Sequence, residues 1–201
     1  DLDELTILNL KMQGAKIDVW GVGTKLITAY DQPALGAVYK LVSIADENGQ
    51  MVDTMKISSN AEKVSTPGKK QVWRITRKRD GKSEGDYIAL WEEQPDQESE
   101  LYMFHPVFTY INKTITEFEA RPILQDIIVE GKLVYELPSL QEVKAFSEAQ
   151  MSGLWDEYKR ILNPEDYPVD LSQKTYDHKM ATIKEIKKQI KEEASLLEST
   201  K

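Results

Sequence analysis

Apolar positions along this chain change period several times, and each change marks an element. Leu2, Leu5, Leu8 and Met12 fall at helical spacing, with Gly14 placed to end the helix. Ala15 to Trp20 then reads as a buried strand that runs into Gly21-Val22-Gly23. Residues 37–45 and 51–57 are β-rich runs around Asn48-Gly49, the strongest short hairpin signal. The pattern repeats at 71–78 and 85–92 around Asp80-Gly81, and at 123–129 and 132–137 around Glu130-Gly131. Ser139-Leu140-Gln141-Glu142 is a capping box. It opens a helix expected to carry Val143, Phe146, Met151, Leu154, Trp155, Tyr158 and Leu162 as far as Pro164. A second helix is expected from near Asp170, with Met180, Ile183, Ile186 and Ile190 on one stripe and a charged, solvated opposite face.

The segment with the most chemistry is Gly21-Val22-Gly23-Thr24. Glycines there let the backbone turn sharply and bring free N–H groups against an anion. A phosphate cup and an ordinary tight turn both fit the local residues. Two familiar phosphate loops do not. A dinucleotide fingerprint needs a third glycine where Leu26 stands, and no Gly-x4-Gly-Lys-Ser/Thr run exists.

Composition narrows the class. The chain has 201 residues, 30% charged and 40% apolar, with a net charge of −8. That is the balance of a globular protein and not of a nucleic-acid binder. No apolar run approaches the roughly 18 residues that would span a bilayer. The chain has no cysteine, which fits a cytoplasmic setting. It begins with Asp1 and reaches its loop within some twenty residues, as a piece of a longer protein would.

The run from Trp20 to Val42 resembles the nicotinate phosphoribosyltransferase family. So do Asp1-Leu2-Asp3-Glu4, the stretch from Lys56-Ile57-Ser58 through Ser65-Thr66-Pro67-Gly68-Lys69-Lys70, and Asn163-Pro164 through Tyr167-Pro168-Val169-Asp170-Leu171-Ser172, all in the family's order. The likeness runs to about residue 190. It implies an α/β fold: residues 1–45 as the C-terminal part of an irregular α/β barrel carrying the phosphate loop, and 46–201 as a β-rich α+β C-terminal domain with two long helices. The implied reaction forms nicotinate mononucleotide and pyrophosphate from nicotinate and phosphoribosyl pyrophosphate in NAD salvage. ATP and Mg2+ serve the full-length enzyme, a homodimer in the cytoplasm. Rival readings are another type II phosphoribosyltransferase, acting on nicotinamide or quinolinate, and a non-catalytic interaction module.

The resemblance assigns Gly21, Val22, Gly23 and Thr24 to the substrate phosphate, and Asp1 and Asp3 to the ribose side. First-turn helix charges remain open for the two aspartates. Lys69 and Lys70, with Lys56 and Lys63, are candidates for the diphosphate side or for a surface turn around Ser65–Gly68. Asp31, Gln32 and Tyr39 either orient the segment after the loop or pack. The family's phosphorylated histidine lies upstream of residue 1, so no catalytic residue is expected here and the isolated chain is expected to be inactive. His105 is expected to pack and His178 to face solvent. Two distant histidines without cysteine argue against a metal site.

Overall fold

The computed structural model describes residues 1–34, 36–60 and 63–199. It is a mixed α/β structure that divides into two compact units, Asp1–Tyr39 and Lys40–Lys201.

The first unit contains α1 (Glu4–Met12) and a single-turn α2 (Thr24–Ile27). Asp3 caps α1, its carboxylate accepting from the Thr6 N–H at 2.7 Å. Gly14, at φ +84°, closes the other end: Gly14 N–H donates to the Lys11 carbonyl and Ala15 N–H to that of Leu10. This paired closure needs a left-handed residue, and glycine supplies it without strain. Between the helices the expected strand Ala15–Trp20 does not form. A strand exists only through pairing, and no described strand pairs with these residues; Val19 is 86% exposed.

The second unit is built on sheets. After the hairpin of β1 (Ser43–Ala45) and β2 (Met51–Asp53) comes the long hairpin of β3 (Lys70–Arg77) and β4 (Ser83–Leu90). β5 (Glu100–Phe104), β6 (Asn112–Thr116) and β7 (Phe118–Pro122) follow, then the small β8 (Ile128–Val129) and β9 (Lys132–Leu133) hairpin. All three expected hairpins form. The chain ends with α3 (Leu140–Gly153), β10 (Val169–Leu171) and α4 (Gln173–Ser199). The main sheet has the order β6-β5-β10-β4-β3-β7. Trp73, Ile75, Tyr87, Ala89, Leu101, Met103 and Phe118 form its core.

Two helix boundaries differ from the periodicity. The capping box forms as expected, with Glu142 N–H donating to Ser139 Oγ and Ser139 N–H to Glu142 Oε2. α3 nevertheless stops at Gly153, because Lys82 Nζ takes up the orphan carbonyls of Ser152 and Leu154 at 2.9 and 3.0 Å. Trp155 leaves the helix to donate its indole N–H to the Ser83 carbonyl. Residues 169–171, expected to begin a helix, instead insert as β10 between β4 and β5, parallel to β4. Only then does Ser172 cap α4, accepting from Thr175 N–H at 3.0 Å. The α4 face turned inward runs through the fully buried Thr175 and the partly buried His178 and Thr182; of the expected stripe, Ile183 and Ile186 are partly buried while Met180 and Ile190 are exposed.

Candidate functional site

The Gly21–Thr24 loop lies at the head of α2. Gly23 accepts from the Leu26 and Ile27 N–H groups at 3.0 and 3.1 Å through its carbonyl, which commits that oxygen to the helix turn. The N–H groups of Gly21, Val22, Gly23 and Thr24 donate to no carbonyl or side chain among the described residues. Gly21, Gly23 and Thr24 are exposed. Gly23 has φ −120°, so its glycine is not required by a left-handed backbone. A Cβ added at Gly21 or Gly23 meets nothing within 4 Å. Internal packing therefore does not demand either glycine, and a close approach from outside would.

Asp3 and Lys25 bracket this loop. Lys25 Nζ lies 2.5 Å from Asp3 Oδ2, tying the first turn of α1 to α2. That ammonium, with the Thr6 hydroxyl and backbone N–H, holds the Asp3 carboxyl well below the usual carboxylate range. The Asp3 oxygens are thus occupied by a cap and an ion pair, whereas Asp1 is exposed.

The lysine candidates of the second unit have partners of their own. Lys69 Nζ sits 3.7 Å from the centroid of the Trp91 ring. Lys70 Nζ donates to the carbonyls of Thr66, Pro67 and Gly68 at 2.7, 3.0 and 2.5 Å, and burial pushes its pKa down. This lysine laces the Ser65–Gly68 turn shut. Gly68, at φ +83°, packs where a Cβ would lie 2.8 Å from Asp53 Oδ2. His178, expected in solvent, is only part-exposed and pairs with the same Asp53 oxygen at 2.8 Å. The helical stripe reading missed it because the partner lies 125 residues away. His105 packs as expected, stacked on Phe108 at 5.0 Å, and its Nδ1 accepts from the N–H groups of Val107 and Phe108.

Beside β4 a buried polar set fixes the Tyr167–Ser172 stretch. Arg74 grips Asp86 through two bonds of 2.9 and 3.1 Å, and Tyr167 donates to the same carboxylate at 3.1 Å. Ser172 donates to Glu93 at 2.7 Å. The matched family segment is therefore a structural joint between sheet and last helix. Among the described residues no group of three or more His, Cys, Asp or Glu side chains gathers as a metal site would need, and no helix is long and apolar enough to cross a membrane.

A model of the nicotinate phosphoribosyltransferase C-terminal domain matches residues 69–179, more than half of the chain. The chain belongs to the nicotinate phosphoribosyltransferase family. Nicotinate phosphoribosyltransferase of Bacillus subtilis is 58% identical over 193 residues, which are 96% of this chain and 39% of that protein. The mouse protein of the same name is 32% identical over 174 residues, 87% of this chain and 31% of its own length. The crystal structure of human nicotinic acid phosphoribosyltransferase superposes with a TM-score of 0.51 at 27% identity, covering 61% of this chain and 23% of that one. The chain thus spans 31–39% of the length of these curated relatives.

Proposed function

We propose that this chain is the C-terminal portion of a nicotinate phosphoribosyltransferase, forming nicotinate mononucleotide and pyrophosphate from nicotinate and phosphoribosyl pyrophosphate in NAD salvage in the cytoplasm. The observation that carries this reading is the 58% identity to the Bacillus subtilis enzyme across almost the whole chain. In it, the Gly21–Thr24 amides receive the 5′-phosphate of the sugar. Main-chain N–H groups suit that task because they bind an anion at fixed positions without adding a mobile charge. They hold the ribosyl group still while positive charge develops at its anomeric carbon. The two glycines keep side chains out of the path of the phosphate. Lys25, paired with Asp3, stiffens the loop's far side.

ATP hydrolysis belongs to the family's reaction and would supply free energy for tight substrate binding. Among the described residues the unpaired loop amides suit a phosphoryl group, and no group of three or more His, Cys, Asp or Glu side chains gathers. On this reading the 201-residue chain alone turns nothing over. Nicotinate mononucleotide formed by the purified chain would overturn that point.

The test of the loop assignment is amide NMR on the 201-residue protein titrated with phosphoribosyl pyrophosphate. The signals of Gly21, Val22, Gly23 and Thr24 should move, and Gly23→Val should abolish the response while leaving the amide signals of the β3–β4 hairpin in place. Unmoved loop signals at millimolar ligand would remove the assignment.

A further inference from the structure

In the Tyr167–Ser172 joint every polar side chain but one has an internal partner. Tyr167 Oη lies 2.6 Å from Ser83 Oγ and donates to Asp86. Ser172 caps α4 and donates to Glu93. Asp170 is the exception. It is 6% exposed, yet its carboxylate accepts no hydrogen bond and joins no ion pair among the described residues. It is not sealed in, since among the described residues only Trp73 Nε1 is a fully enclosed side-chain atom without a partner. Asp170 instead lines a groove of about 810 Å³ between the 105–113 stretch and the 165–171 stretch.

The positive groups around it are already committed. Lys113 Nζ donates to the Glu84 carbonyl and lies 3.1 Å from the Glu84 carboxylate. His105 Nδ1 accepts two amide N–H groups, which places the ring hydrogen on Nε2. Burial pushes the Asp170 carboxyl up, the mark of a charge whose water has been replaced by too little. A carboxylate held this way costs free energy until a donor or cation arrives.

The rest of the groove describes the arrival. Its rim carries the exposed Glu165 and Asp166; Glu165 pairs with Arg160 at 3.7 Å, and Asp166 joins no ion pair among the described residues, so it draws positive charge to the mouth. Its walls carry Phe108, Ile111 and Val169, each with two fifths or more of its surface open. The groove also reaches Asn112 and Lys113 at the start of β6, an edge of the main sheet whose outer backbone groups pair with no described strand. A row of free backbone donors and acceptors beside an apolar wall suits an extended polypeptide and is of no use to a small cation. Arginine fits the buried end better than lysine, because its planar fork meets a carboxylate bidentately and is shed of water more readily.

We propose that this groove is a docking site for an extended polypeptide segment that seats an arginine side chain against Asp170, with apolar residues beside it and its backbone along β6. The experiment titrates the 201-residue protein with a blocked pentapeptide whose central arginine is flanked by leucine and valine, followed by amide NMR and calorimetry. Shifts should concentrate at Asn112–Thr116 and Val169–Leu171. Affinity should fall tenfold or more when glutamine replaces the peptide's arginine, and by a similar factor in Asp170→Asn. If Asp170→Asn fails to fold, the arginine and glutamine peptides compared on the unaltered protein still decide. Equal binding of the two peptides, or no shift along β6, overturns the proposal. So does N-acetylarginine amide binding as tightly as the pentapeptide, which would make the groove a small-cation site.

Discussion

The two units of this chain use similar residues in opposite ways. Residues 1–39 contain leucines, isoleucines, valines and three aromatics, yet none of those described is buried. The sheet unit encloses Ile75 and Met103 completely. Local signals are as good in the first unit as in the second: α1 has a carboxylate cap, a glycine closure and an ion pair. What differs is long-range pairing. β3 lies between β4 and β7 and β10 between β4 and β5, so each central residue is covered by residues far away in sequence. Helix caps and turns can therefore form in a segment that buries nothing, because they need only near neighbours. A core needs distant ones.

The largest expected effect breaks that contrast at one residue type. Ile75→Ala removes a fully buried side chain from the middle of β3 and should cost about 2–5 kcal/mol in urea unfolding. Ile27→Ala, at a position 85% exposed, should stay within about 0.5 kcal/mol. Comparable losses at both positions would show that the first unit has a core of its own, and the comparison would fail.

A smaller effect separates two glycine turns. Gly68 has φ +83°, and an alanine Cβ there would press on Asp53 at 2.8 Å and disturb its pairing with His178. Gly68→Ala should cost about 1–2 kcal/mol from the left-handed backbone alone. Gly23→Ala should meet no clash, since its Cβ enters open space. The same chemical change thus reports structure in one loop and, under the proposed reading, ligand approach in the other. Loss of stability at Gly23 would mean that the loop's glycine serves packing.

Much of this architecture was legible in the sequence wherever the cause is local. The Asn48-Gly49, Asp80-Gly81 and Glu130-Gly131 turns, the Ser139/Glu142 box and the closure at Gly14 each act within a few residues, and each forms. The failures share a different cause. Val169-Asp170-Leu171 is too short to show a period, and its place between β4 and β5 is decided by strands some seventy to eighty residues earlier. α3 ends where Lys82 reaches its carbonyls, which no helical pattern announces. Ala15–Trp20 has the apolar run of a strand but no described neighbour to make it one. Of the candidate site, the sequence puts forward the Gly21–Thr24 loop, whose ligand the phosphoribosyl pyrophosphate titration decides. The occupied state of Lys69 and Lys70, and the unpartnered Asp170 carboxylate, became visible only with coordinates.

The smallest expected effect concerns the one place where the first unit ties itself together. Asp3 is held below the usual carboxylate range by the Lys25 ammonium first, then by the Thr6 hydroxyl and the Thr6 N–H. A carboxylate whose folded pKa is depressed stabilises the folded state above its unfolded value, near 4, and loses that contribution as pH falls through the folded value. Acid below pH 4 should therefore release α1 from α2 while the sheet, held by burial, persists. The Thr6 and Lys25 amide signals should stay in place from pH 7 down to 4 and move only beyond it. Asp3→Asn should show the released positions at every pH. A Thr6 amide that titrates with an ordinary midpoint near 4 would mean that the ion pair is not held in solution. The first unit would then keep its turns without any tie between them, and the preorganisation of the loop amides would have to come from elsewhere.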